Sequence, residues 1–156
     1  MLKLLLKQEQ HALEPHQVLR LSKENKLMVD TKLAELAQKA SGKAYVPYSK
    51  FPVGAAVKTI DGEVFLGCNV ENVSYGLTNC GERTAIFKAV SEGYTNLSEI
   101  AIYGETKEPI SPCGACRQVM VEFFEPDSKV ILVAKNGKTV EMMVKDLIPY
   151  SFTDFN

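Results

Sequence analysis

Net charge is the first thing this sequence lacks. Its 18 lysines and arginines stand against 19 aspartates and glutamates, leaving a formal −1. So balanced a chain has no long-range field with which to gather a polynucleotide, which argues against nucleic acid and suits a small, weakly charged substrate. Long apolar runs are missing too. Nothing approaches the roughly 20 consecutive apolar residues that cross a bilayer, so no membrane partner is expected. An export signal is also absent. In Met1-Leu-Lys-Leu-Leu-Leu-Lys7 two lysines break a run that is already short, and Gln8, Glu9 and Gln10 follow where an apolar core belongs. The expected compartment is therefore the cytoplasm, where thiols stay reduced. Cysteine is scarce, and Cys68, Cys80, Cys113 and Cys116 are there candidates for metal binding or catalysis before disulfides.

What is present reads as one globular domain. A chain of 156 residues, 46% hydrophobic and 24% charged, has room for a single core. Residues 1–27 differ from the rest: they hold both histidines, a cluster of leucines and the polar run Ser22-Lys-Glu-Asn-Lys26. Two readings of this N-terminal extension stand open. Met28 is the true start and the leader is translated upstream sequence, or the leader is a genuine added helix. Residues 28–156 form the domain proper.

Within that domain, Asp30 or Thr31 can cap a helix to about Ala44, with Leu33, Leu36, Ala37 and Ala40 on one face and Pro47 ending it. The runs Phe51–Val57 and Val64–Val70 flank Asp61-Gly62 and predict a hairpin. A loop over Glu71–Asn79 leads to a helix from about Cys80 to Glu92, stopped by Gly93. A strand at Ile100–Tyr103 is followed by a loop with Pro109 and Pro112 and a helix over about Cys113–Phe124. Val130–Val133 and Thr139–Val144 flank the Asn136-Gly137 turn, and a short helical turn lies near Lys145–Ile148. The order predicts a three-layer α/β/α domain around a five-stranded mixed sheet. In such folds ligands sit at strand ends beside helix N-termini, and both cysteine motifs begin helices.

Pro112-Cys113-Gly-Ala-Cys116 sets two thiols one helical turn apart, the first at the helix start. Both sulfurs can reach one tetrahedral zinc at about 2.3 Å. A helix N-terminus favours the thiolate form. Cys80 can supply a third sulfur from another helix start, and three protein ligands leave the fourth position open, as in catalytic sites. Glu82, two residues on, can lean over that position as a proton carrier without ligating. Three thiolates on a divalent ion sum to −1, which Arg83 can offset by hydrogen bonding to ligand sulfur. Taken singly, each feature has a plainer explanation. A Cys-x-x-Cys pair is often a redox couple or half a structural zinc site, and a lone Cys80 packs as a small hydrophobe. Cys68, mid-strand and without a partner motif, reads as a packing residue.

Together, Cys-x-Glu and Pro-Cys-x-x-Cys form the zinc deaminase pattern with Cys in place of the first His. From about Lys32 to Phe152 the chain resembles the small, homotetrameric cytidine deaminase family. The resemblance rests on Tyr45-Val-Pro-Tyr-Ser-Lys-Phe-Pro-Val-Gly-Ala-Ala56, Gly67-Cys-Asn-Val-Glu-Asn72, Cys80-Gly-Glu-Arg-Thr-Ala85 and Ser111-Pro-Cys-Gly-Ala-Cys-Arg-Gln118.

That resemblance implies one zinc per subunit on Cys80, Cys113 and Cys116, and hydrolysis of cytidine and deoxycytidine to uridine and deoxyuridine with release of ammonia, as in pyrimidine salvage. Zinc-bound hydroxide would attack C4 while Glu82 shuttles protons. It also implies that Asn69 and Glu71 clamp the ribose hydroxyls, Phe51 packs on the pyrimidine, and the Ser111 carbonyl accepts the substrate's amino group. Tyr75 and Phe152 would reach a neighbouring subunit's pocket, so that active sites form at the interfaces of a homotetramer. Position 81 departs from the family in being Gly where Ala is usual, and the leader is not part of its pattern. Deamination of an aminonucleoside antibiotic is the alternative, against which Asn69-Val-Glu71 argues for a ribose. A structural zinc module in a binding protein would have no use for Glu82.

Overall fold

The computed structural model describes residues 31–155. The extension assigned to residues 1–27 and a cap at Asp30 lie outside these residues. Helix α1 covers residues 31–41. It ends before the expected Ala44 because the chain turns back on itself. Lys43 N donates to the Ala40 carbonyl at 3.0 Å, and Ala44 N to that of Ser41 at 3.1 Å.

Strands β1 (Val53–Thr59) and β2 (Val64–Cys68) form the predicted hairpin. A 3-10 turn at Tyr75–Leu77 interrupts the following loop before helix α2 (Gly81–Ser91). Next come β3 (Leu97–Gly104), α3 (Gly114–Phe123), β4 (Phe124–Ala134), β5 (Thr139–Met143) and α4 (Val144–Leu147). The sheet order is β2-β1-β3-β4-β5; β3 and β4 run parallel, and every other neighbouring pair is antiparallel. The five-stranded mixed sheet is thus as expected.

Alternation along the central strands separates the two faces. Val53, Ala55 and Val57 of β1, with Ile100, Ile102, Val130 and Leu132, pack against Ala85, Ile86, Met120, Val144 and Leu147 from α2, α3 and α4. Ala56, Ala101, Tyr103, Ile131 and Val133 face the other way and bury Leu33 and Ala37 of α1. Among the described residues, one helix on one side and three on the other make the layers. Both faces are covered over the middle strands, so their runs are nearly continuously apolar.

Two glycines set how closely the helices approach. A Cβ on Gly54 would lie 2.0 Å from the Ala37 carbonyl oxygen, and one on Gly67 would lie 2.3 Å from Ala85 N. The second approach brings the start of α2 down on β2, which places Cys80. Gly93, at φ 94°, ends α2 in the left-handed conformation.

Candidate functional site

Cys80 and Cys113 are the N-caps of α2 and α3. Both have extended backbone, and neither side chain makes a capping hydrogen bond to its helix. Their sulfurs are therefore free to face one another. Cys80 Sγ lies 3.8 Å from Cys113 Sγ, which lies 3.5 Å from Cys116 Sγ, and all three ligand atoms fall within 4.8 Å of one another. Two sulfurs bound at about 2.3 Å to one tetrahedral ion stand roughly 3.8 Å apart, so the triangle fits a single zinc. Thiolate donors on two positive helix ends are the right chemistry for that ion.

The electrostatics favour the thiolate form at Cys80. A hydrogen bond from Cys116, with further support from Arg83 and Cys113, outweighs burial and draws the Cys80 thiol down to about 5. The partner Cys116 is held up as the proton donor of that pair and by its burial. Arg83 Nη2 reaches Cys80 Sγ at 3.6 Å and the Thr78 carbonyl at 3.3 Å. Among the described residues its Nε is buried without a hydrogen-bond partner. Glu82 is only 4% exposed. Burial, helped by the Cys80 charge, lifts its carboxyl to about 6. A carboxyl so placed exchanges a proton near neutrality.

Asn69 and Glu71 lie just past β2, where the chain crosses toward Tyr45. The Asn69 amide is held at both ends: Oδ1 accepts from Val53 N and Nδ2 donates to the Phe51 carbonyl, each at 2.9 Å. These bonds occupy backbone groups of residues 51–53, and both Phe51 and Asn69 fall outside the strands in which sequence pattern placed them. Glu71 Oε2 accepts from Tyr48 N at 3.0 Å and Ser49 N at 3.2 Å, while Oε1 takes part in neither bond. Burial pushes the Glu71 carboxyl up, but the Ser49 and Tyr48 hydrogen bonds and the nearby Lys50 charge outweigh it, holding it below the usual range.

The fold thus brings Phe51, Asn69 and Glu71 together in one hydrogen-bonded unit. That unit joins α2 through Val53, whose carbonyl accepts from Asn69 N at 3.2 Å. A Cβ on Gly81 would stand 3.1 Å from this same carbonyl, so Gly at position 81 relieves a tight contact.

Phe51, Tyr75 and Phe152 are exposed by 40%, 63% and 61%. Tyr75 meets Tyr48 edge-on at 6.0 Å, and Phe152 meets Phe155 at 5.1 Å. Ser111 lies in the loop before α3, its hydroxyl accepting from Arg117 Nη2. Sequence reasoning missed Arg117 and Gln118. Their signal was position alone, immediately after Cys116 on α3. Gln118 Nε2 donates to the Phe152 carbonyl at 2.7 Å and so holds the C-terminal segment on α3.

Residues 28–134 match the family described as the cytidine and deoxycytidylate deaminase zinc-binding region. The cytidine deaminase of Halalkalibacterium halodurans is 56% identical over 110 residues, 70% of this chain and 83% of that protein. That of Sporosarcina psychrophila is 49% identical over 122 residues, 78% of this chain and 90% of its own. Among solved structures, cytidine deaminase from Burkholderia pseudomallei superposes with a TM-score of 0.76 at 52% identity, covering 78% of this chain and 98% of that one.

Proposed function

The chain belongs to the cytidine and deoxycytidylate deaminase zinc-binding family, and from that premise we propose that it hydrolyses the 4-amino group of both cytidine and deoxycytidine. The observation that carries this reading is the triangle of Cys80, Cys113 and Cys116 sulfurs with buried Glu82 two residues from the first. Cys80, Cys113 and Cys116 would hold the ion. Bound zinc supplies a Lewis acid that makes a water molecule acidic enough to add at C4 near neutral pH.

Glu82 takes a proton from that water and passes it to N3 of the base, which draws electrons from C4. It then takes the remaining proton of the added water and delivers it to the departing amine. Water is consumed, ammonia leaves, and uridine or deoxyuridine remains. Arg83, donating to Cys80 Sγ, tempers the negative charge of three thiolates. Glu71, through the oxygen not used by the Tyr48 and Ser49 backbone amides, and Asn69, through the loop it braces, hold the sugar. Phe51 packs on the pyrimidine and the Ser111 carbonyl accepts the 4-amino group. Binding at the sugar, away from the reacting carbon, orients that carbon.

Residues 28–156 are the catalytic domain in this reading, residues 1–27 an extension to it, and the enzyme a cytoplasmic homotetramer of pyrimidine salvage. Adding purified protein to cytidine, with Glu82→Ala alongside, tests it. Falling ultraviolet absorbance with ammonia release by wild type only is the expected result. Silence from both, with one zinc bound per chain, would point to another substrate or to a structural ion.

A further inference from the structure

We infer that Arg117 is a positioning residue that sets the Ser111 carbonyl for the substrate's 4-amino group, an inference that rests on the deaminase reading above. The Arg117 guanidinium makes a three-way clamp. Nε donates to the Pro112 carbonyl at 2.8 Å, Nη1 to the Leu147 carbonyl at 2.6 Å, and Nη2 to the Ser111 hydroxyl. Two of the three acceptors belong to the dipeptide that immediately precedes the ligand Cys113. The third is the last residue of α4, whose terminal carbonyls have no partner within their own helix.

The clamp therefore fastens the Ser111–Pro112 segment to α4, an element whose Val144 and Leu147 are buried in the core. It holds Ser111 by its side chain and the next residue by its backbone. The Ser111 carbonyl accepts none of the three bonds and stays outside the clamp. A planar fork with donors in fixed directions is needed to serve three separate acceptors at once. A lysine ammonium, one nitrogen on a flexible stem, cannot span them.

The geometry makes a prediction that a general packing role would not. Disturbing the clamp should harm ligands that carry the 4-amino group and spare those that lack it. The experiment uses full-length, zinc-loaded Arg117→Lys and Arg117→Gln, assayed with cytidine and with a pyrimidin-2-one riboside, which bears hydrogen at C4, as competitive inhibitor. Zinc content and thermal midpoint are measured alongside. Losing one neutral hydrogen bond to substrate raises KM for cytidine by about five- to tenfold. The inhibition constant of the unsubstituted riboside is expected to stay within about twofold, with zinc near one per chain.

Equal weakening of both ligands overturns the inference, as does an unchanged KM. Loss of zinc or failure to fold in both Arg117 variants also overturns it, because Arg117 would then serve the fold. A wild-type protein inert toward cytidine is a different failure: it defeats the deaminase reading and takes this inference with it.

Discussion

Glu82 combines two properties that are seldom found together in a residue that only packs: it is almost fully buried, and its carboxyl titrates near 6. Replacing it with Gln keeps the volume and one acceptor but removes the exchangeable proton. Glu82→Gln should keep its zinc and lose about 10²–10⁴-fold in kcat, the range for general acid–base groups. Steady-state kinetics beside zinc analysis decide this; an active Glu82→Gln would move the proton carrier elsewhere. A second residue-scale case is steric. Added to Gly67, a Cβ lies 2.3 Å from Ala85 N and 2.5 Å from the Gly81 carbonyl oxygen, both backbone atoms. Backbone cannot swing aside, so α2 must lift from β2. Gly67→Ala should lose about 1–3 kcal/mol in denaturant unfolding, whereas Gly76→Ala, which meets nothing within 4 Å, should lose far less.

At the scale of elements, a zinc ion on Cys80, Cys113 and Cys116 would join two helices by their N-termini. Three thiols all within 4.8 Å of one another can share protons, but once ionised they repel one another unless a cation lies between them. Stripping zinc with a chelator is therefore expected to lower the thermal midpoint by on the order of 10 °C. Hydrogen exchange should rise first at residues 80–84 and 113–117, with α1 keeping its protection. Uniform loss of protection would mean that the ion supports the whole core and not these two helix starts.

Much at this scale was legible in the sequence. The start of α2 at Cys80 and its stop at Gly93, the hairpin turn at Asp61-Gly62 and the cysteine pair on α3 carry local chemistry that reads directly. Strand ends were less legible because they depend on partners. Strand β4 begins at Phe124, far before Val130, because Phe124 pairs with Leu97. The exposed Glu125, Pro126 and Asp127 between them show no alternation. The family resemblance implies a sugar-binding role for Asn69, while only the folded chain brings its amide to the backbone of Phe51 and Val53, 16–18 residues away. Arg117 escaped notice for the same reason, since Leu147 lies 30 residues off.

For the whole molecule, surface composition is the governing observation. Val73, Tyr75 and Leu77, in the loop between β2 and α2, are 78%, 63% and 72% exposed, and Phe152 after α4 is 61% exposed. Large apolar side chains gathered in segments that flank a candidate site are expected to meet another surface. Tyr75 stands on a 3-10 turn with no buried residue. Its ring, edge-on to Tyr48 and still exposed, is open to a second copy of the chain, as the family resemblance implies. Sedimentation of wild-type protein should give a species of four chains. Val73→Asp with Leu77→Asp places two charges on this loop without touching Cys80, Cys113, Cys116 or Glu82, so the variant should dissociate while still binding zinc. If neighbouring copies complete the site, kcat/KM falls with the tetramer, and raising protein concentration restores part of both together. A dissociated variant with full activity, or a wild type active as a monomer, would mean that one chain supplies everything the reaction needs. Tyr75 and Phe152 would then be exposed for some other purpose.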